Sequence, residues 1–117
     1  MSGVPPFYEA VWQLVAEVPT GRVVTYGQVA GWLGKPRAAR AVGYAMFNAP
    51  PDGVPWHRVI NSRGEISVGG HLHRPGLQRG LLEQEGIDFD GHDRIELRRY
   101  GWTPPPAILQ EFSAFGA

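Results

Sequence analysis

The residues best equipped for chemistry sit in the stretch VPWHRVI, Val54 to Ile60. His57 offers a ring that takes up or gives away a proton near neutral pH. Arg58 stands beside it, at the entry to the apolar pair Val59-Ile60. A nucleophile in front of this pair would complete a reactive group, yet that position holds Trp56. Its indole nitrogen has its lone pair in the ring and does not attack. Its wide apolar face suits contact with a base or an alkyl group. As an isolated residue, Trp56 reads more readily as a core aromatic. The chain has 117 residues and no cysteine, which removes thiolate nucleophiles, disulfides and sulfur-based zinc sites. His71 and His73 have the spacing of a metal pair, but they lie on a Gly-rich loop with no carboxylate cluster. No metal and no cofactor are expected.

The formal net charge of zero conceals an asymmetry. Between Thr20 and Gly80 there are eight basic residues (Arg22, Lys35, Arg37, Arg40, Arg58, Arg63, Arg74, Arg79) against two acidic ones, Asp52 and Glu65. A basic island in the middle of the chain invites a polyanion, although on charge alone scatter over a folded surface explains it as well. No apolar run approaches the ~20 residues of a membrane span, so a soluble, cytoplasmic protein is expected.

Several elements must position these residues. Phe7, Val11, Leu14, Val15 and Val18 recur with helical spacing, which predicts an amphipathic helix over 6–17. Pro19-Thr20-Gly21 stops it, and 22–25 should be extended. Thr25 and Gln28 have capping-box spacing, so a short helix should run from Tyr26 to Leu33 with Gly34 as its terminal glycine. Pro36 suits the first turn of a further helix over 37–47. On that helix Ala38, Val42, Ala45 and Met46 share one face, and Arg37, Arg40, Tyr44 and Phe47 share the other. Two short helices joined by a Gly-containing turn make a helix-turn-helix, the second serving as recognition helix. Residues 57–60 should be extended, and 61–64 a turn. Pro75 to Glu85 reads as a helix with Leu77, Leu81 and Leu82 inward and Gly86 as cap. Asp90-Gly91 suits a small hairpin between Ile87–Phe89 and Ile95–Leu97. Residues 1–100 are expected to form one domain. Residues 101–117, with three consecutive prolines, should be a tail lying along the surface or loose.

Read in order, "GQVAGWLGKPRAARAVGYAM", "NAPPDGVPWHRVINSRG" and "LLEQEG" strongly resemble the O6-alkylguanine-DNA alkyltransferase family, over roughly residues 7–87. More closely they resemble its alkyltransferase-like branch. True transferases read Pro-Cys-His-Arg where this chain reads Pro-Trp-His-Arg. Their Cys accepts the alkyl group irreversibly, whereas the Trp branch binds the lesion without repairing it. The resemblance implies a mainly α fold with short β-strands, a winged-helix-like helix-turn-helix domain, and no enzymatic activity.

The same resemblance assigns expected roles. Arg40 matches the finger that fills the gap left by an extruded nucleotide, where a planar cation stacks and bonds better than Lys. Tyr26 matches the tyrosine that presses on the target phosphate. Ala38, Ala39, Ala41 and Gly43, with Arg37, match the surface that sinks into a minor groove only ~6 Å wide. His57 and Glu85 match the pair that activates the thiol of transferases and are expected to persist here as a structural network. Val59 lies where the family offers a backbone carbonyl to the guanine. Asn48 matches an asparagine that steadies the motif loop, or is simply a helix end.

The chain departs from the transferases in several places. The loop between Arg40 and Trp56 is one residue shorter. Gly69 stands where a larger polar side chain is usual, Gln78 replaces a common Lys, and the amino-terminal domain of many transferases has no counterpart. A roomier pocket, tolerant of alkyl groups larger than methyl, is expected. The expected function is recognition of O6-alkylguanine in duplex DNA by a monomer that bends the duplex, flips the base and flags it for nucleotide excision repair proteins. Two other classes stay open on residue types alone. One is a glycosylase or lyase using His57, Glu85 or an Asp, with Lys35 as the only lysine. The other is a sequence-specific helix-turn-helix regulator, which would want base-reading Arg, Asn or Gln where this helix has alanines.

Overall fold

The computed structural model describes residues 6–67 and 75–113. Its first helix, α1 (Pro6–Val15), buries Ala10, Val11, Leu14 and Val15, as the apolar spacing requires. Trp12 on its flank donates from Nε1 to the Ala45 carbonyl at 2.7 Å, which ties α1 to the third helix. Two short strands follow the same parallel course: β1 (Val24–Thr25) pairs with β2 (Val59–Ile60), Val24 opposite Val59 and Thr25 opposite Ile60. Because successive strand residues point to opposite sides, this narrow ribbon feeds two cores. Val24 and Val59 enter a cluster with α1 and the helix-turn-helix, while Val23 and Ile60 enter a second with Leu82, Ile87, Ile95 and Tyr100.

The helix-turn-helix is built by local chemistry. Thr25 caps α2 (Tyr26–Trp32) with a complete capping box: its Oγ1 accepts from the Gln28 N–H at 3.1 Å, and its N–H donates to Gln28 Oε1 at 2.9 Å. At the other end Lys35 N–H bonds to the Ala30 carbonyl and Gly34 N–H to the Gly31 carbonyl, with Gly34 at φ +77°. This six-to-one and five-to-two pair needs a left-handed residue, which glycine adopts without steric cost. The chain turns at once into α3 (Ala39–Phe47). That helix opens two residues later than the spacing suggested. Ala38 N–H bonds to the Lys35 carbonyl, so Pro36 and Arg37 lie in a turn, and Ala38 has no side chain to cap with.

Residues 57–60 differ from the extended segment expected. Trp56–Arg58 form a 3-10 turn, with Arg58 N–H on the Pro55 carbonyl and Val59 N–H on the Trp56 carbonyl, and only Val59 and Ile60 are strand. Pro55 can accept but not donate, which favours a turn over a ladder here.

The helix over the second core, α4 (Pro75–Gln84), turns Leu82 inward, yet Leu77 is 44% exposed and Gln78 is buried in its stead. Gly86, at φ +87°, closes α4 with the same pair of bonds as Gly34, and Ile87 packs in the same cluster as Leu82. The expected hairpin reduces to one antiparallel bridge, Phe89 to Ile95. Asp90 Oδ1 accepts from the N–H groups of His92 and Arg94, which shapes that turn, and Leu97 already opens α5 (Leu97–Tyr100). The segment from Gly101 is more ordered than a loose tail. Val23 exchanges backbone bonds with Tyr100 and Trp102, and α6 (Pro106–Ser113) inserts Phe112 into the first core at 6% exposure. The result is a mainly α, helix-turn-helix fold with two short strands. No helix among the described residues is long and apolar enough to cross a membrane.

Candidate lesion pocket and nucleic-acid interface

The 3-10 turn carries Trp56, His57 and Arg58, all partly buried. Trp56 packs against the first core alongside Tyr26 and Val54. Its ring meets that of His57 edge-on, with centroids 6.0 Å apart and planes at 85°. His57 Nε2 lies 2.6 Å from Glu85 Oε2. The carboxylate only accepts, so the ring donates from Nε2.

Glu85 is the hub of a network wider than that pair. Arg58 donates from Nε to Oε1 at 3.0 Å and from Nη2 to Oε2 at 2.8 Å, and Gly21 N–H reaches Oε1 at 2.9 Å. The remaining Arg58 donors bond to the Val18 carbonyl and to Thr20 Oγ1. One carboxylate therefore fastens the end of α4 to the 3-10 turn and to the loop between α1 and β1. Burial pushes its pKa up, but the Arg58, Gly21 and His57 bonds outweigh that and hold it at about 2.

Gln78 supplies a second brace. At 5% exposure it donates from Nε2 to the carbonyls of His57 and Val59, both at 3.1 Å. The Val59 carbonyl is thus fixed in direction. Tyr26 opens α2, half-buried. Burial raises its hydroxyl pKa, against a bond with Ser67 that lowers it.

Helix α3 divides cleanly. Val42, Ala45 and Met46 are buried, whereas Arg40, Tyr44 and Phe47 are exposed on the other side. Ala39, Ala41 and Gly43 are half-buried beside that outer face, Ala38 packs against the first core instead, and a Cβ on Gly43 would meet nothing within 4 Å. Arg37 stands exposed in the turn before α3, and neither it nor Arg40 makes an ion pair among the described residues. Asn48 ends α3, donating from Nδ2 to the Tyr44 carbonyl at 2.8 Å.

The structure thus joins His57 to Glu85, and Tyr26 and Trp56 to one core, and leaves Arg37 in the turn before α3 and Arg40 on α3 both exposed. Gly69, His71 and His73 lie outside the described residues. Among the described residues no group of three His, Asp or Glu could hold a metal. Sequence reasoning missed Arg58 as the main partner of Glu85, and Gln78 as a buried brace. The second had a signal: Gln78, Leu82 and Glu85 follow helical spacing, so a polar residue on the inward stripe needed a partner.

A helix-turn-helix with exposed Arg37 and Arg40 at its second helix, neither in an ion pair among the described residues, has the character of a nucleic-acid-binding domain. The family described as 6-O-methylguanine DNA methyltransferase, DNA binding domain, matches residues 6–87, and the chain belongs to it. Within that family it falls with the alkyltransferase-like proteins. It is 46% identical over 100 residues to the DNA base-flipping protein of Escherichia coli, covering 83% of this chain and 74% of that one. It is 43% identical over 103 residues to alkyltransferase-like protein 1 of Schizosaccharomyces pombe, covering 84% and 95%. The crystal structure of S. pombe Atl1 in complex with damaged DNA containing O6-carboxymethylguanine superposes with a TM-score of 0.76 at 40% identity, over 88% of this chain and all of the other. The Mycobacterium tuberculosis OGT in complex with DNA gives 0.62 at 38% identity, over 71% of this chain and 50% of that one.

Proposed function

We propose that this protein recognises O6-alkylguanine in duplex DNA and holds the flipped base without removing the alkyl group. Helix α3 docks in the minor groove, Arg37 meets phosphate, and Arg40 fills the gap in the base stack. The extruded guanine lies beside Trp56, with Tyr26 pressing on its phosphate and the Val59 carbonyl facing the base. The observation that carries this reading is the pairing of an intact His57–Glu85 contact with the absence of any thiol: Nε2 to Oε2 is 2.6 Å, and the chain has no cysteine. Trp56 stands in the position of the acceptor Cys. Displacing an alkyl group from O6 needs a soft nucleophile, and an indole is not one. The network therefore braces the pocket and moves no proton to a reacting atom.

The relatives named above support the lesion class, since one is a base flipper and another is known with O6-carboxymethylguanine in damaged DNA. The latter also favours a pocket that accepts groups larger than methyl. A bound lesion on bent DNA would then be passed to nucleotide excision repair proteins by a cytoplasmic monomer. The test is a single-turnover incubation with a duplex carrying one O6-methylguanine. The protein mass should stay unchanged and the lesion should be recovered whole. A gain of one methyl group on the protein would overturn the reading.

A further inference from the structure

The large hydrophobic side chains standing exposed among the described residues are Tyr44 at 41%, Phe47 at 50% and Leu77. Two of the three share the outer face of α3 with Arg40. At 100° per residue, Arg40, Tyr44 and Phe47 fall within an arc of about 60°. Tyr44 follows Arg40 by roughly 6 Å along the axis and Phe47 by roughly 10 Å. The inward face is already filled by Val42, Ala45 and Met46 at 0–1% exposure, so neither ring has a route into the core. The last turn is also held in place, since both the backbone N–H and the Nδ2 of Asn48 bond to the Tyr44 carbonyl.

We infer that Tyr44 and Phe47 form an apolar wedge that enters the minor groove beyond Arg40, packing on sugars and base edges about two and three base steps from the flipped position. This rests on the lesion-binding reading above. The occupant is DNA because the aromatic pair continues the surface of Arg37 and Arg40 inside a segment with eight basic and two acidic residues. Shape makes the same case. The first turn and a half of α3 is kept low by Ala39, Ala41 and Gly43, so it fits a groove ~6 Å wide. Its final turn, carrying a Tyr and a Phe, does not fit unless the groove opens there. Apolar side chains that pry the minor groove bend the duplex toward the major groove. One helix would then divide the work, its start approaching closely and its end forcing the bend.

The experiment is an anisotropy titration of a duplex with and without one O6-methylguanine across a salt series. End-to-end energy transfer reports the bend. The proteins are wild type, the Tyr44→Ala/Phe47→Ala pair, Tyr44→Phe/Phe47→Leu, and Arg37→Ala. The alanine pair should bind the lesion duplex tenfold or more weakly at every salt, keep the slope of log K against log salt, and bend the DNA less. Tyr44→Phe/Phe47→Leu keeps apolar bulk and should stay close to wild type, and a wild-type urea midpoint for the alanine pair excludes a folding defect as the cause. Arg37→Ala should instead reduce the salt slope by about one. Wild-type affinity and bend in the alanine pair would overturn the wedge and hand this face to a protein partner. So would a loss that appears only as a changed salt slope. If wild type does not distinguish the lesion duplex from the plain one, the lesion reading fails by itself, and the wedge is judged by the same loss on plain DNA.

Discussion

His57 Nε2 lies 2.6 Å from Glu85 Oε2, while the same carboxylate takes three further bonds from Arg58 and one from the Gly21 amide. The pair is arranged as a fastener between α4, the 3-10 turn and the loop before β1.

That arrangement has a pH signature. Glu85 has a folded pKa of about 2 against an ordinary 4.5. Its contribution to stability is therefore complete above pH ~4.5 and is lost as pH falls toward 2, on the order of 2–3 kcal/mol in all. Urea unfolding of wild type should weaken over that window. Glu85→Gln should be less stable at pH 7 and much flatter between pH 4.5 and 2. Parallel pH curves for the two proteins would contradict the assignment.

Gln78 should matter more than its neutral side chain suggests. Replacing it with Leu leaves the His57 and Val59 carbonyls without their buried donor, at a cost of about 1–3 kcal/mol. Because those carbonyls line the turn that carries Trp56, lesion affinity should fall along with the unfolding midpoint. An unchanged midpoint would mean that water replaces the amide there.

Much of the frame was legible in the sequence because its signals are local. The Thr25–Gln28 box, the Gly34 and Gly86 ends and the two faces of α3 each follow from a few neighbouring residues. What was not legible depends on contacts far apart in the chain. Arg58 meets Val18, Thr20 and Glu85 only after β1 and β2 pair. By spacing alone Leu77 is as good an inward residue as Leu82, and only the position of the 3-10 turn beneath α4 explains why Gln78 takes the buried place. Phe112 enters the core from beyond three prolines, a distance over which periodicity carries no information. In the candidate site, His57, Glu85, Tyr26 and Arg40 are named by motif, whereas the braces holding them are not.

Trp56 is the residue on which lesion preference should depend. Trp56→Ala removes the indole face proposed to meet the base and should bring the affinities for modified and plain duplex to within about threefold of each other, since one base–aromatic contact is worth roughly 1–3 kcal/mol. Trp56→Phe should retain part of the preference. Equal preference in wild type and Trp56→Ala would make the indole a core aromatic and nothing more.

Arg37 lies in the turn ahead of α3 with no ion pair among the described residues. As a phosphate contact it should act on all duplexes alike: Arg37→Ala lowers affinity for modified and plain DNA by the same factor, read by anisotropy at fixed salt. A selective loss on the lesion duplex would place Arg37 in the pocket instead.

The most direct measurement of the central claim is binding to one labelled duplex with and without a single O6-methylguanine, at fixed salt, for wild type and Arg40→Ala. The account predicts a clear preference for the lesion in wild type, a preference reduced tenfold or more in Arg40→Ala, and an intact lesion recovered from both. Equal binding to the two duplexes by wild type would contradict it.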